Sequence, residues 1–232
     1  MNSEGENLEK SASKARNSPQ TVTQTPPNDA NPLTAFDDAM RECFPIICGI
    51  DEAGRGPLAG DVFAAAVIIP PGVSFPGLDD SKKLTAAARD RLFNEITGKA
   101  VFSVGIATVA EIEEINILQA ALLAMRRAFK GLPAGILTDL ALIDGNKAPD
   151  LPVRTQTIVK GDGKSASIAA ASVVAKVSRD RYMEQLAEMY PQYGFGKHKG
   201  YGTKAHYEAI SLHGITPVHR KSFLKKIAGI SS

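Results

Sequence analysis

The sequence predicts an α/β domain built on a mixed β-sheet with helices packed against it. Two apolar runs, residues 46–50 and 62–69, are separated by a glycine-rich turn, which favours two strands. The segment between them is too short for a crossover helix, so these strands should pair antiparallel. Farther along the chain, apolar runs alternate with helical periodicity, which is typical of parallel strands joined by helices. The sheet should therefore contain both kinds of pair.

The first two helices are predicted from the spacing of their apolar residues. Residues 84–97 repeat apolar side chains every four positions, which indicates a helix after the second strand. Residues 101–109 form a third apolar run and are predicted as a strand. Apolar side chains then recur at steps of three and four over residues 112–129, which predicts a long amphipathic helix, and Pro133 follows as a stop signal.

The second half of the sequence predicts two further strands and a helical end. Residues 136–143 and 155–159 are the fourth and fifth strands, and residues 165–190 form a long helix that ends before Pro191. That helix begins with small residues at 169–172, which lets backbones pack closely. A shorter helix over 204–212 makes the C-terminal region helical.

The 232 residues divide into a polar tail and one domain. Residues 1–35 contain no aromatic residue and few aliphatic ones, so they cannot bury enough apolar surface to fold, and we expect a disordered tail. Residues 36–232 should form a single domain. No apolar run approaches the length of a membrane helix, and the N-terminus lacks the order of a secretory signal. Because only Cys43 and Cys48 are present, a disulfide scaffold is excluded, and a cytoplasmic protein is expected.

The charges are nearly balanced overall but unevenly placed. Lys and Arg number 27 against 25 Asp and Glu, yet residues 197–226 hold seven basic residues and one acid, Glu208. Four aromatic residues, Tyr193, Phe195, Tyr201 and Tyr207, are interleaved with these charges, which favours a surface that follows a polyanion backbone over a merely solvated basic face. All four histidines also lie there, but their spacings match no zinc-binding pattern, so a histidine metal site is not favoured.

Acidic residues follow three of the predicted strands. The first strand runs into Asp51 and Glu52, the fourth into Asp144, and the fifth is followed by Asp162 just before the long helix. Since strand ends of an α/β sheet gather at one edge, these four carboxylates should converge. Two carboxylates about 4 Å apart repel by roughly 4 kcal/mol, so a divalent cation is expected among them. Oxygen ligands favour Mg²⁺ or Mn²⁺, which suits phosphoryl chemistry.

Each acid also has an ordinary structural explanation. Asp144 and Gly145 make a good turn pair, and Asp162 could simply cap a helix. Phosphate-binding glycine loops are excluded by spacing: the third glycine of residues 54–60 comes one position too late for GxGxxG, and Ile158 stands where a P-loop needs glycine.

The segment 49–60, GIDEAGRGPLAG, resembles the signature of the type 2 ribonuclease H family, of the bacterial ribonuclease HII kind. Further blocks continue the resemblance in the family's order, at residues 79–84, 143–146, 160–162, 169–177 and 200–203. The resemblance covers essentially everything from Ile46 to Ser222. It implies a ribonuclease H-like fold and an endonuclease that acts on RNA–DNA hybrids. It also implies cleavage 5′ to single ribonucleotides embedded in duplex DNA, with 5′-phosphate and 3′-hydroxyl products.

The resemblance also assigns roles to residues. It makes Asp51, Glu52, Asp144 and Asp162 the catalytic carboxylates that bind Mg²⁺ or Mn²⁺. It gives Gly54, Arg55 and Gly56 the role of a junction-reading loop, in which glycines let backbone amides approach a ribose 2′-hydroxyl. Tyr201 would pack on the sugar of the following deoxynucleotide, and Lys82 and Lys83 would contact the nucleic-acid backbone.

Three other functions remain as alternatives. Ribonuclease HIII should lack the Gly-Arg-Gly triad and carry a folded N-terminal binding domain. A hybrid-binding protein without activity should lack some of the acids, and a transposase or resolvase would need a separate DNA-binding module. The substrate duplex is the only partner expected; residues 223–232 lack a sliding-clamp motif, and a monomer is predicted.

Overall fold

The computed structural model describes residues 31–79 and 84–224, whose centre is a five-stranded sheet in the order β3-β2-β1-β4-β5. β1 pairs antiparallel with β2, and β2 with β3, whereas β1–β4 and β4–β5 are parallel. The predicted mixed sheet and its antiparallel first pair are thus confirmed. The strands are β1 Ile47–Ala53, β2 Val62–Ile68, β3 Val101–Ala107, β4 Leu140–Asp144 and β5 Arg154–Ile158.

Two strand boundaries differ from the prediction by more than two residues. β1 continues through Ala53, because Glu52 and Ala53 still pair with β2, so Asp51 and Glu52 lie within the strand instead of after it. β4 begins only at Leu140, four residues later than predicted. Just before it, the Asp139 carboxylate accepts the N–H of Ile46 at 2.8 Å, which fixes the strand's entry beside β1.

Seven helices lie within the described residues. They are α1 Pro32–Arg41, α2 Ala86–Lys99, α3 Val109–Lys130, α4 Ala166–Met189, α5 Phe195–His198, α6 Lys204–His213 and α7 Lys221–Leu224. α1 begins four residues before the predicted domain boundary at residue 36, because Asn31 caps it through the N–H of Leu33. α3 is kinked at Asn116, whose φ of 67° is left-handed. None of the helices in this described part of the chain is long and apolar enough to cross a bilayer.

The helices cover both faces of the sheet. One face, which includes Cys48 and Ile50, packs against the alanine-rich side of α3. The opposite face, which includes Ala65 and Val67, packs against α4 and α2. The predicted close packing of small residues is confirmed, since residues 169–172 of α4 are all buried.

β1 and α4 meet backbone to backbone at Gly49. A Cβ at this position would lie 2.1 Å from the carbonyl carbon of Ser167, so any larger residue would push α4 away from the sheet. The contact brings the first half of α4 against the strand that carries Asp51 and Glu52.

Asp37 of α1 anchors the start of α4 and is fully buried. Its carboxylate accepts the Ser165 hydroxyl at 2.6 Å and both the N–H and the hydroxyl of Ser167, at 2.8 and 2.6 Å. Burial raises the pKa of this carboxyl although the hydrogen bonds lower it. No sequence pattern pointed to this contact, because its partners are 128 and 130 residues apart in the chain.

Replacing Asp37 by Ala should lower the free energy of unfolding by about 2–4 kcal/mol, because three buried donors would lose their acceptor. Asp38→Ala is the matched control: its side chain is 63% exposed and pairs with Arg41 at 2.7 Å, so the substitution should change stability little. Urea denaturation of the two variants measures the difference. Equal losses would show that the buried network does not hold α4.

Candidate active site

Three of the four predicted carboxylates line one cavity of about 260 Å³ at the sheet edge. Asp51 and Glu52 come from the end of β1, and Asp144 is the last residue of β4. Because β1 and β4 are parallel neighbours, their carboxyl ends lie side by side. The convergence predicted from strand ends is therefore observed for these three residues. We call this space the acidic cavity.

Each carboxylate in the acidic cavity has a defined hydrogen-bond partner. Asp51 accepts the N–H of Glu52 at 2.7 Å and also the hydroxyl of Ser172 on α4. The carboxylate of Glu52 accepts a hydrogen bond from Nη1 of Arg55 at 3.3 Å. Asp144 accepts the N–H of Gly161 at 2.6 Å, which ties the end of β4 to the segment after β5. The side chains are thus oriented by the strands and by the loops next to them.

The acidic cavity is electrostatically unfavourable for its own carboxylates. Burial raises the pKa of Asp51 well above its usual range, and repulsion from Glu52 and Asp144 raises it further. Burial also raises the pKa of Glu52, although the guanidinium of Arg55 opposes this effect. Both shifts mean that the ionised forms lack enough counter-charge.

Asp162 is placed differently from the other three acids. It lies in a short 3₁₀ helix, Gly161–Gly163, just before α4, and it is only 4% exposed. It does not line the acidic cavity. The Asp144–Gly161 hydrogen bond nevertheless holds the residue before Asp162 beside the cavity.

The donor set fits a divalent cation by its chemistry. Three carboxylates supply hard oxygen ligands, and burial raises the pKa of two of them, Asp51 and Glu52, so a cation would stabilise their ionised forms. Within the described residues, no group of three or more His, Cys, Asp or Glu side chains is already arranged to hold an ion. The carboxylates would therefore have to turn toward the ion on binding.

The predicted junction loop and Tyr201 line the same cavity. Gly54 has a φ of 101°, a conformation that only glycine adopts readily, and a Cβ there would lie 2.1 Å from Nε of Arg179. A Cβ at Gly56 would lie 3.5 Å from Cε1 of Tyr201, so the loop and the ring face each other. Tyr201 is 47% exposed, so a ligand can reach it.

Sequence reasoning missed a third wall of the acidic cavity, formed by Ser172, Lys176 and Arg179 of α4. Steps of four and three place these residues on one face of the helix. This spacing in the sequence could have indicated that the three side chains share one face of the helix. Lys176 pairs with Asp180 at 2.6 Å, and Arg179 is 1% exposed.

The basic C-terminal segment is only partly a surface. Arg220 is fully buried, so its inclusion in a polyanion-binding surface was wrong. Tyr193 and Phe195 are also buried and stack on each other, with centroids 5.4 Å apart, instead of being available to bases. Periodicity could not show this, because these residues lie in or next to helices too short to have a repeating apolar face. The predicted contacts Lys82 and Lys83 lie outside the described residues.

Three of the four histidines form a stacked group behind Tyr201. His198 and His206 stack with centroids 4.5 Å apart, and Nε2 of His206 lies 3.2 Å from Nε2 of His219. The N–H of Thr216 donates to Nδ1 of His219, so Nε2 of His219 carries the proton and donates to His206. Nδ1 of His206 can then donate to the carbonyl of Tyr201 at 2.9 Å. The group positions the backbone of Tyr201.

Residues 48–226 match the sequence profile of the family described as ribonuclease HII. The chain belongs to the ribonuclease HII family. Ribonuclease HII of Vibrio campbellii is 54% identical over 190 residues, which span 81% of this chain and 89% of that protein. The resemblance noted in the sequence is confirmed, and ribonuclease HIII is not favoured as the family of this chain.

Solved structures agree on the fold. Ribonuclease H2 from Pyrococcus horikoshii OT3 matches with a TM-score of 0.63 and 26% identity, over 76% of this chain and 93% of that one. Bst-RNase HIII in complex with Mn²⁺ matches with a TM-score of 0.58 and 20% identity, over 73% and 63%, which bears on the fold alone. The ribonuclease H-like fold is thus confirmed. Membership places the chain among metal-dependent endoribonucleases that act on RNA–DNA hybrids.

The histidine group predicts a pH dependence of stability. Burial, and then repulsion from His206, lowers the pKa of His219 from 6.5 to about 4, and burial also lowers that of His206. The folded state therefore favours neutral rings, so this stability is complete above pH 6.5 and is lost as the pH falls toward 4.

Between pH 7 and pH 5 the loss from His219 should be about 2 kcal/mol. His219→Gln should show a correspondingly smaller decrease in stability over this interval, measured by urea denaturation at both pH values. His213→Gln, at an exposed position, is the control and should retain the wild-type pH dependence. An unchanged pH dependence in His219→Gln would contradict the assignment.

Proposed function

We propose that this protein hydrolyses the RNA strand of RNA–DNA hybrids and also cuts 5′ to single ribonucleotides embedded in duplex DNA. The products would carry 5′-phosphate and 3′-hydroxyl ends. The observation that carries the proposal is that three carboxylates, the Gly54–Gly56 loop and the ring of Tyr201 surround one cavity. The carboxylates that would bind the metal and the groups that would recognise the sugar then lie close enough together to contact one RNA–DNA junction.

Asp51, Glu52 and Asp144 would hold Mg²⁺ or Mn²⁺, and Asp162 would complete the set as the family resemblance implies. Mn²⁺ in the solved structure of Bst-RNase HIII supports this choice of cation. When bound, the metal would activate water and stabilise negative charge on the scissile phosphate. The hydroxyl of Ser172 and the N–H of Glu52 both donate to the carboxylate of Asp51 and anchor it beside the cavity.

The remaining cavity residues would bind and orient the nucleic acid. Arg55 is half exposed, so its guanidinium can reach a phosphate while one N–H remains on Glu52. Backbone N–H groups of the loop would meet the ribose 2′-hydroxyl, which distinguishes RNA from DNA. The flat ring of Tyr201 would pack on the next sugar. A monomer in the cytoplasm, without an obligate protein partner, remains our expectation from the sequence.

Incubation with a duplex that carries one ribonucleotide tests the reaction directly. With Mg²⁺ or Mn²⁺ we expect a single cut 5′ to the ribonucleotide, and none with a chelator. Asp51→Asn and Asp144→Asn should each lower kcat/KM at least about a thousandfold, because about 4 kcal/mol of charge stabilisation depends on them. Asp150→Asn, at an exposed position away from the cavity, is the matched control. Cutting that persists in the first two variants would refute the assignment.

Recognition of the junction predicts a second set of effects. Arg55→Ala and Tyr201→Ala should each reduce kcat/KM on the single-ribonucleotide duplex by about ten- to a hundredfold, without a comparable loss in thermal stability. Tyr201→Phe keeps the ring and should remain close to wild type. If Tyr201→Phe is as impaired as Tyr201→Ala, the hydroxyl group and not ring packing is what matters.

A further inference from the structure

Two buried guanidinium groups lie beneath the junction loop. Arg220 and Arg179 are 0% and 1% exposed, and both donate to backbone carbonyls of residues 54–61. Arg179 donates to Asp61 and Ala59, each at 3.1 Å, and also to Lys199 at 3.0 Å. Two buried charged side chains therefore hold residues 54–61, the segment that begins with the junction loop.

Arg220 uses all five of its N–H donors on this loop. Nη2 donates to the carbonyls of Gly54 at 2.7 Å and Gly60 at 2.6 Å. Nη1 donates to Arg55 at 3.0 Å and Pro57 at 2.8 Å, and Nε donates to Gly60 at 2.9 Å. The guanidinium is completely satisfied by carbonyl oxygens alone.

Burial of the Arg220 guanidinium destabilises the folded state. Among the described residues no carboxylate lies within ion-pair distance of Arg220, and burial followed by repulsion from Arg179 lowers its pKa to about 9. Asp61 favours the charged form of Arg220 only from beyond ion-pair distance, and a buried charge without a close ionic partner destabilises the fold more than an apolar side chain of the same volume would. The position is better explained by what the charge does to the loop.

The carbonyl contacts fix the direction of the neighbouring N–H groups. In a trans peptide the C=O and the following N–H point in opposite directions. Since the carbonyls of Gly54 and Arg55 point down to Arg220, the N–H groups of Arg55 and Gly56 point the other way. Neither N–H donates to any acceptor within residues 31–79 and 84–224. Both residues line the acidic cavity.

We propose that Arg220 is a positioning residue for sugar recognition: it aims the N–H groups of Arg55 and Gly56 at the ribose 2′-hydroxyl. This inference rests on the proposed function of the junction loop.

The segment that carries Arg220 is itself held against the loop. The N–H of Arg220 donates to Leu58 at 2.8 Å, and Gly60 donates to the carbonyl of Val218 at 2.8 Å. His219 forms a β-bridge with Ala59 and belongs to the histidine group behind Tyr201. The same few residues therefore support both the loop and the ring that faces it.

Binding without metal separates this role from a general loss of folding. The affinity of each variant is measured by fluorescence anisotropy, with a chelator present, for a duplex with one ribonucleotide and for the same duplex made only of DNA. Arg220→Lys keeps the charge but replaces the five-donor fork by one amine. We expect its preference for the ribonucleotide duplex to fall about five- to tenfold, with affinity for the DNA duplex unchanged.

Leu92→Ala is the control for stability. Leu92 is fully buried on α2, and its truncation should lower the melting temperature while leaving the affinity ratio at the wild-type value. If Arg220→Lys does not fold, Gly60→Ala provides a second variant. A Cβ at this position would lie 2.5 Å from Sδ of Met183, so Gly60 would shift and weaken the hydrogen bonds that its carbonyl accepts from Arg220. Its affinity ratio should also fall.

An affinity ratio that stays at the wild-type value in a folded Arg220→Lys or Gly60→Ala protein overturns the role of Arg220. If the wild-type protein itself binds both duplexes equally, sugar reading by the loop fails and this inference fails with it. Metal-dependent cleavage of the hybrid, measured separately, then still tests the catalytic carboxylates.

Discussion

The backbone contact between β1 and α4 at Gly49 is the constraint on which the rest of the site depends. Because no Cβ intervenes, α4 lies close enough for Ser172 to reach Asp51 and for Arg179 to reach the carbonyls of residues 59 and 61. The start of α4 is fixed at the same level by Asp37. This close approach thus brings together the α4 wall of the acidic cavity, the hydrogen-bond partner of Asp51 and the side chain that supports residues 59 and 61.

Charge is arranged against stability on both sides of the acidic cavity. Burial raises the pKa values of Asp51 and Glu52, whereas burial and then repulsion from Arg179 lower the pKa of the Arg220 guanidinium. Each charged group would destabilise the fold less if it were exposed to water, or if an apolar side chain replaced it. Sites that violate the ordinary rules of stability in this way are typical of function. A bound cation would stabilise the ionised carboxylates, whereas the guanidinium of Arg220 holds the loop.

The C-terminal region acts from the interior more than from the surface. His206, His219 and Arg220 are buried and connect the backbone of Tyr201 with the junction loop through hydrogen bonds. The exposed charges of this region, such as Lys204, remain available for a nucleic-acid backbone. In the proposed function, recognition would depend in part on these buried residues, which support the loop and the ring from the interior.

Sequence alone predicted the five strands, the helices α2, α3, α4 and α6, and the antiparallel first pair, because periodicity and strand ends are local properties. It also predicted that four acids converge, of which three line the cavity. Tertiary structure decided the rest. It showed Asp162 outside the cavity lining, Asp37 beneath α4, and Arg220 inside the protein rather than on a basic face. These facts depend on contacts between residues more than a hundred positions apart, and composition carries no information about which side of a basic segment is buried.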